Sequence, residues 1–132
     1  MSRNGQHAPS LLSSTLNEFT LYLRHTFGNS LRYVGTTTKL DGDPHLVRDI
    51  DVLVVLTRLN EGHIRHVWRT ITLLRAKSNA FLDCRIYSED DLARIPSLDR
   101  FLLSRFLEDH YGANPFMDFQ PAPNDLRPEC RT

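Results

Sequence analysis

The chain has 132 residues, of which 40% are apolar and 24% charged, so it can bury the core of one domain. Sixteen basic residues balance sixteen acidic ones, and this net charge of zero gives no indication of nucleic-acid binding. A local basic patch that binds RNA is still compatible with a net charge of zero. No apolar run approaches a membrane span or a signal-peptide core, and the cysteines suit reduced thiols, so we expect a cytoplasmic protein outside the membrane.

The first half of the chain predicts a helix followed by two strands. The apolar residues Leu12, Leu16, Phe19, Leu23 and Phe27 recur at helical spacing, and Gly28 follows them. In chain order we predict a disordered N-terminus over residues 1–9, a helix over 10–27, a strand over 31–34 stopped by Gly35, a loop over 36–48 and a central strand over 49–57.

The second half predicts a helix, a strand and two further helices. In chain order these are a helix over 60–78 with Trp68 in the core, a strand over 80–87, a short helix after Ser88, a helix from Ser97 to near Gly112 and a Pro-rich tail over 113–132. The domain therefore spans residues 10–112. The long helix between the second and third strands predicts that these two strands are parallel neighbours in an α/β fold.

Asp49-Ile50-Asp51, at the head of the central strand, is the most informative motif. Because strand side chains alternate, the two carboxylates should share one face, with their Cα atoms roughly 6.6 Å apart. Like charges this close repel, and a divalent cation neutralises them. Carboxylate oxygens suit Mg²⁺, which also binds substrate phosphates.

Two other elements are expected to converge on this pair. Gly35 lets the backbone approach a phosphate, and Thr36 adds a hydroxyl and an N–H donor. Asp83, in the third strand, could complete a set of carboxylates that holds one or two Mg²⁺ and supports an in-line phosphoryl displacement, or it could deprotonate the acceptor. An alternative is that Asp83 is a structural acid paired with Arg85 or Arg48.

Val34-Gly35-Thr36, the Asp49-Ile50-Asp51-Val52 motif and the later Asp83 together resemble the DNA polymerase beta-like nucleotidyltransferase superfamily. The resemblance covers roughly residues 10–95. It implies an α/β (α+β) fold with a small mixed sheet flanked by helices, and binding of a nucleoside triphosphate with Mg²⁺. It also implies that Asp49, Asp51 and Asp83 are catalytic metal ligands, and that Gly35 and Thr36 contact the phosphates.

Two functional hypotheses follow from this resemblance. In the first, the protein is an Mg²⁺-dependent enzyme that transfers a nucleoside monophosphate from an NTP such as ATP to a hydroxyl of a protein, an RNA or a small molecule. In the second, it is a catalytically silent module that binds a partner protein, as an antitoxin or a regulatory subunit. The small size resembles that of minimal nucleotidyltransferases of toxin–antitoxin pairs, and Thr36 replaces the Ser or Gly usual in the family.

Overall fold

The computed structural model describes residues 11–37, 49–78 and 81–120. They form the helices α1 (Leu11–Phe27), α2 (Glu61–Ser78) and α3 (Ser97–Phe106) and the strands β1 (Leu31–Thr36), β2 (Asp49–Leu56), β3 (Phe81–Ser88) and β4 (Glu108–Tyr111), with short 3₁₀ helices at Gly28–Ser30 and Glu89–Arg94.

The strands of the described residues form one mixed sheet in the order β3-β2-β1-β4. β1 is antiparallel to both β2 and β4, whereas β2 and β3 are parallel and in register from Asp49 opposite Phe81 to Leu56 opposite Ser88. Because a parallel pair needs a crossover connection, α2 joins β2 to β3. The α/β fold and the parallel pairing expected from the sequence are confirmed.

The larger of two apolar cores lies where α1 and α2 pack on one face of the sheet. The buried residues of β2 that belong to it alternate along the strand, as a pleated strand requires. Its members include Leu16, Phe19 and Leu23 of α1, Ile50, Val52, Val54 and Leu56 of β2, and Val67, Ile71 and Leu74 of α2. Asn60 immediately precedes α2 and caps it, because its Oδ1 accepts a hydrogen bond from the backbone N–H of His63 at 2.9 Å.

The second core covers the opposite face of the sheet. Leu53 and Val55 of β2 pack there with Tyr33, Ile95 and Phe116, the last of which is 3% exposed. Apolar burial on both faces of β2 explains the unbroken run Val52–Leu56, and confirms the prediction of a central strand. Residues 113–120, expected to begin the tail, contribute Phe116 to this core.

Two predicted boundaries were wrong. β1 continues through Gly35 to Thr36, since both residues pair with β2. The last helix ends at Phe106 instead of near Gly112, and Glu108–Tyr111 form an edge strand on β1. The segment Glu108-Asp109-His110-Tyr111 is too short and polar to show strand periodicity, and its pairing with β1 decides its conformation.

Trp68 was predicted to lie in the core, but its side chain is 44% exposed. Val67 and Ile71 occupy the buried side of α2, whereas Trp68 is among the exposed large apolar residues of this helix. The predicted N-terminus 1–9, most of the loop over 36–48 and the tail beyond residue 120 lie outside the described residues. Among the helices of the described ranges, none is long and apolar enough to cross a membrane.

Candidate functional site

Asp51 and Asp83 lie directly opposite each other on the parallel strands β2 and β3. Residues in register on adjacent strands project to the same face, and the strands are about 4.8 Å apart. Both side chains are exposed. Within the described residues neither carboxylate forms an ion pair, and the alternative pairing of Asp83 with Arg85 is not formed there. Arg48 lies outside the described residues.

Asp49 opens β2, two residues before Asp51, and its backbone is in register with Phe81. Its side chain lies outside the described part of the structure. Among described side chains, no group of three or more His, Cys, Asp and Glu residues could hold a metal ion. The facing carboxylates of Asp51 and Asp83 nevertheless fit Mg²⁺, because this ion commonly uses one or two protein carboxylates and takes its other oxygen ligands from water and phosphates.

The carboxylate of Asp51 borders a cavity of about 580 Å³ on the face of the second core. Leu53, Tyr87 and Ile95 provide apolar lining. The charged and polar residues around it are Thr37, Asp51, Arg85, Asp91, Arg94 and Asp99. Arg94 pairs with Asp91 at 3.0 Å, and Asp91 also accepts a hydrogen bond from Ser88 Oγ at 2.9 Å. The cavity thus combines three carboxylates, two guanidinium groups and an apolar wall. With a divalent cation held at Asp51, this lining would suit a phosphorylated ligand with a flat apolar part.

Gly35 is covered by the ring of Tyr33. A β-carbon at position 35 would lie 2.5 Å from Cε2 and Cζ of Tyr33. The Tyr33 hydroxyl donates a hydrogen bond to Asp109 Oδ1 of β4. Burial raises the pKa of Tyr33 above its ordinary value, and the bond to Asp109 raises it further, so the hydroxyl stays protonated as a donor. The absence of a side chain at Gly35 therefore accommodates Tyr33.

Thr36 is fully buried, and its Oγ1 lies 3.0 Å from Nε2 of His110 on β4. Burial lowers the pKa of His110, although the nearby Glu108 and Asp109 act in the opposite direction. A neutral imidazole is consistent with this hydrogen bond at neutral pH. The structure therefore places Thr36 in a contact between β1 and β4, and places Thr37 at the cavity.

The cavity also contains residues that the sequence analysis did not single out for the site. Because side chains alternate along a strand, Arg85 lies on the same face as Asp83, and Thr37 lies on the same face as Gly35. The strand pattern could therefore have predicted both residues as neighbours of the site. Arg94 offered no such signal. It reaches the cavity because the 3₁₀ helix Glu89–Arg94 follows β3 directly, and only the packing of that helix shows this.

The buried thiol of Cys84 lies on the other face of β3, in the first core. Burial raises its pKa to about 12, and the charge of the adjacent Asp83 adds to this shift. A thiol with so high a pKa is a poor nucleophile at neutral pH. Cys84 therefore belongs to the packing of the sheet.

No family model and no curated protein matches this sequence. Among solved structures, the chain is similar to a mutant of the toxin–antitoxin pair MntA-HpeT, with 12% identity, a TM-score of 0.51 and coverage of 74% of this chain and 73% of that one. A structure of tri-AMPylated Shewanella oneidensis HEPN toxin in complex with MNT antitoxin gives 15% identity, a TM-score of 0.45 and coverage of 74% and 71%. The first likeness confirms the nucleotidyltransferase-like fold and, at this identity, shows the fold alone.

Proposed function

We propose that this protein is a nucleotidyltransferase-fold partner protein of the toxin–antitoxin type, which binds a second protein and controls it. The observation that carries this proposal is the fold shared with a toxin–antitoxin structure over about three quarters of both chains. The matched region covers a similar share of both chains, so the similarity includes most of the fold.

The surface of the helices supports a protein partner. Large apolar side chains of α1 and α2 are exposed to solvent, with Leu21 at 60%, Leu73 at 59% and Trp68 at 44%. Trp is enriched among the residues of protein interfaces, so the exposed Trp68 is a candidate contact with a partner. Arg65 and Arg69, also exposed on α2, would add favourable contacts with an acidic partner.

The test is co-expression of the tagged chain with the products of the genes beside its own. We expect one neighbour to copurify in fixed stoichiometry, to inhibit growth when expressed alone, and to lose that toxicity when this chain is present. A neighbour that neither binds nor is toxic would contradict the partner function. A Leu73→Glu variant should weaken the complex more than a Glu18→Gln variant does on α1.

A second candidate function is nucleotidyl transfer, and the facing carboxylates of Asp51 and Asp83 beside Arg85 and Arg94 favour it. Asp51 and Asp83, together with Asp49, would hold Mg²⁺, which when bound supplies electrostatic stabilisation of the phosphate oxygens. Arg85 and Arg94 would bind phosphates, because guanidinium groups match their geometry. The apolar wall around Leu53 and Ile95 would exclude water from the base or ribose.

This second function is tested by incubating the protein with α-labelled NTPs, Mg²⁺ and the copurified partner. We expect a covalently labelled acceptor, and we expect Asp51→Asn to abolish the label while Asp90→Asn, an exposed acid outside the cavity, retains it. Labelling that survives in Asp51→Asn would contradict the transferase function. Partner binding without any labelling would leave the first proposal intact and remove the second.

A further inference from the structure

β3 is an edge strand of the sheet that the described residues form. One side of its backbone pairs with β2 along the whole strand, in a continuous register from Phe81 to Ser88. The described ranges place no strand on its other side. The backbone N–H and C=O groups that point away from β2 are therefore free to pair with a strand of another chain.

The opposite edge of the sheet is less suited to such pairing. β4 has four residues against eight in β3, and a register shift interrupts its pairing with β1. Asp109 and His110 of β4 already bond to Tyr33 and Thr36. Short and irregular edges resist strand addition, whereas a long and regular edge favours it. We therefore expect another chain to add at β3.

The side chains of β3 indicate which strand would fit. Asp83 and Arg85 are exposed and lie on the same face, because they are two residues apart. Neither forms an ion pair among the described residues. Leu82, Cys84 and Ile86 alternate with them and pack in the core under α1 and α2. An acid and a base placed symmetrically about Cys84 make this strand complementary to its own reverse.

We propose that two copies of this chain associate through their β3 strands, which run antiparallel about a two-fold axis at Cys84. In this register Asp83 of each copy lies opposite Arg85 of the other, and Leu82 lies opposite Ile86. Residues directly opposite each other in an antiparallel pair have Cβ atoms about 4.5–5.5 Å apart, which allows an ion pair. The two four-stranded sheets would join into one continuous sheet.

The charges also determine this register. A two-fold axis perpendicular to the sheet keeps each face on its own side, so the register shifts only in steps that preserve the faces. The neighbouring registers place the axis at Asp83 or at Arg85, and they put two carboxylates or two guanidinium groups directly opposite each other. Like charges in this position destabilise a strand pair, and opposite charges stabilise it. Within β3, only the register at Cys84 pairs opposite charges.

The test exchanges these charges in the full chain. In Asp83→Arg two cations would face each other across the interface, and in Arg85→Asp two anions would, so each variant should associate weakly. An equimolar mixture of the two variants should form a mixed dimer, because opposite charges face each other again. The double variant, Asp83→Arg with Arg85→Asp, should dimerise by itself for the same reason. Asp90→Arg is the control, since Asp90 is exposed and lies in the 3₁₀ helix after β3.

Sedimentation equilibrium would give the dissociation constant of each dimer, and circular dichroism would show that each variant is folded. The buffer should be free of metal, because a cation at Asp83 would compete with Arg85 of the second copy. We expect the unchanged chain and Asp90→Arg to dimerise alike. Each single variant at the interface should dimerise about tenfold more weakly or worse, and the mixture and the double variant should recover to within about threefold.

Three results would overturn the proposal, which does not depend on the partner or transferase function above. An unchanged chain that stays monomeric at about 100 μM would leave the β3 edge to a strand of a different protein. A dimer that the single variants leave intact would be held by another surface. Weakening without recovery in the mixture and the double variant would show that Asp83 and Arg85 do not face each other. The double variant keeps the net charge of the chain, so it decides the question even where a single variant fails to fold.

Discussion

The polar side chains of the two halves of the sheet differ in whether they have partners within the protein. On the β1–β4 side, Tyr33 bonds to Asp109 and Thr36 to His110, so the polar groups of the edge strand are used to attach it. On the β2–β3 side, Asp51 and Asp83 face each other on rigid parallel strands, exposed and without an ion pair among the described residues. The contacts between β1 and β4 hold the edge strand on the sheet, whereas the carboxylates of β2 and β3 are available for a ligand.

The largest effect should come from Asp51→Asn on the β2–β3 side. We expect at least a hundredfold loss of nucleotidyl transfer and loss of the stabilisation by Mg²⁺ and ATP, because a metal and nucleotide site stabilises the folded state only when it is occupied. In metal-free buffer the melting temperature should stay the same or rise, since one of two facing charges is removed. Thermal melts with and without Mg²⁺ and ATP measure both changes. A clear fall in metal-free buffer would indicate a structural role for Asp51.

On the β1–β4 side, Gly35→Ala should destabilise the protein by about 1–3 kcal/mol, because the new methyl group would overlap the Tyr33 ring. Urea unfolding measures this free energy. Gly62→Ala near the start of α2 is the control, and should change stability by less than about 1 kcal/mol. Combining Gly35→Ala with Tyr33→Leu should cost less than the sum of the single changes. Full stability of Gly35→Ala would contradict the account of this glycine.

Tyr33→Phe isolates the hydrogen bond to Asp109. We expect a loss of about 1 kcal/mol, since a hydrogen bond contributes this amount on average and the solvent-exposed Asp109 can recover water as a partner. A double-mutant cycle with Asp109→Ala, which removes the acceptor, measured by urea unfolding, would give the coupling between the two residues. Additive effects of the two changes would show that the bond does not contribute to stability.

The smallest effect concerns His110. Its pKa in the folded protein is lowered from 6.5, so the unfolded chain binds the proton more readily. Stability is therefore unaffected above this value and falls as the pH decreases below about 6.5, at up to about 1.4 kcal/mol per pH unit until the folded pKa is reached. Unfolding at several pH values should show this slope, and His110→Gln should reduce it. An unchanged slope in the variant would assign the pH dependence to other groups.

The central part of the fold was predictable because local patterns and packing agree there. The apolar run after Asp51 indicates a buried strand, and the helical spacing of Leu16, Phe19 and Leu23 indicates a helix with one buried face. Both assignments can be made without knowing which element packs against them. β4 was missed because its four residues become a strand only through pairing with β1. No local pattern carries that information.

The candidate site was predictable in part for the same reason. Strand alternation and a parallel crossover are enough to bring Asp51 and Asp83 together, and the structure places them opposite each other. The contacts of Gly35 with Tyr33 and of Thr36 with His110 depend on how the edge strand packs. The roles of Asp49, Asp51, Asp83, Gly35 and Thr36 in binding metal or nucleotide stay predictions.

The most direct test of the contrast between the two halves is a crystal structure with Mn²⁺ and a non-hydrolysable ATP analogue. The account predicts anomalous density for Mn²⁺ at the carboxylates of Asp51 and Asp83, with the triphosphate in the cavity beside Arg85 and the Tyr33–Asp109 contact unchanged. Metal and phosphates bound at Gly35 and Thr36, with the Tyr33 ring displaced and Asp51 unliganded, would contradict it.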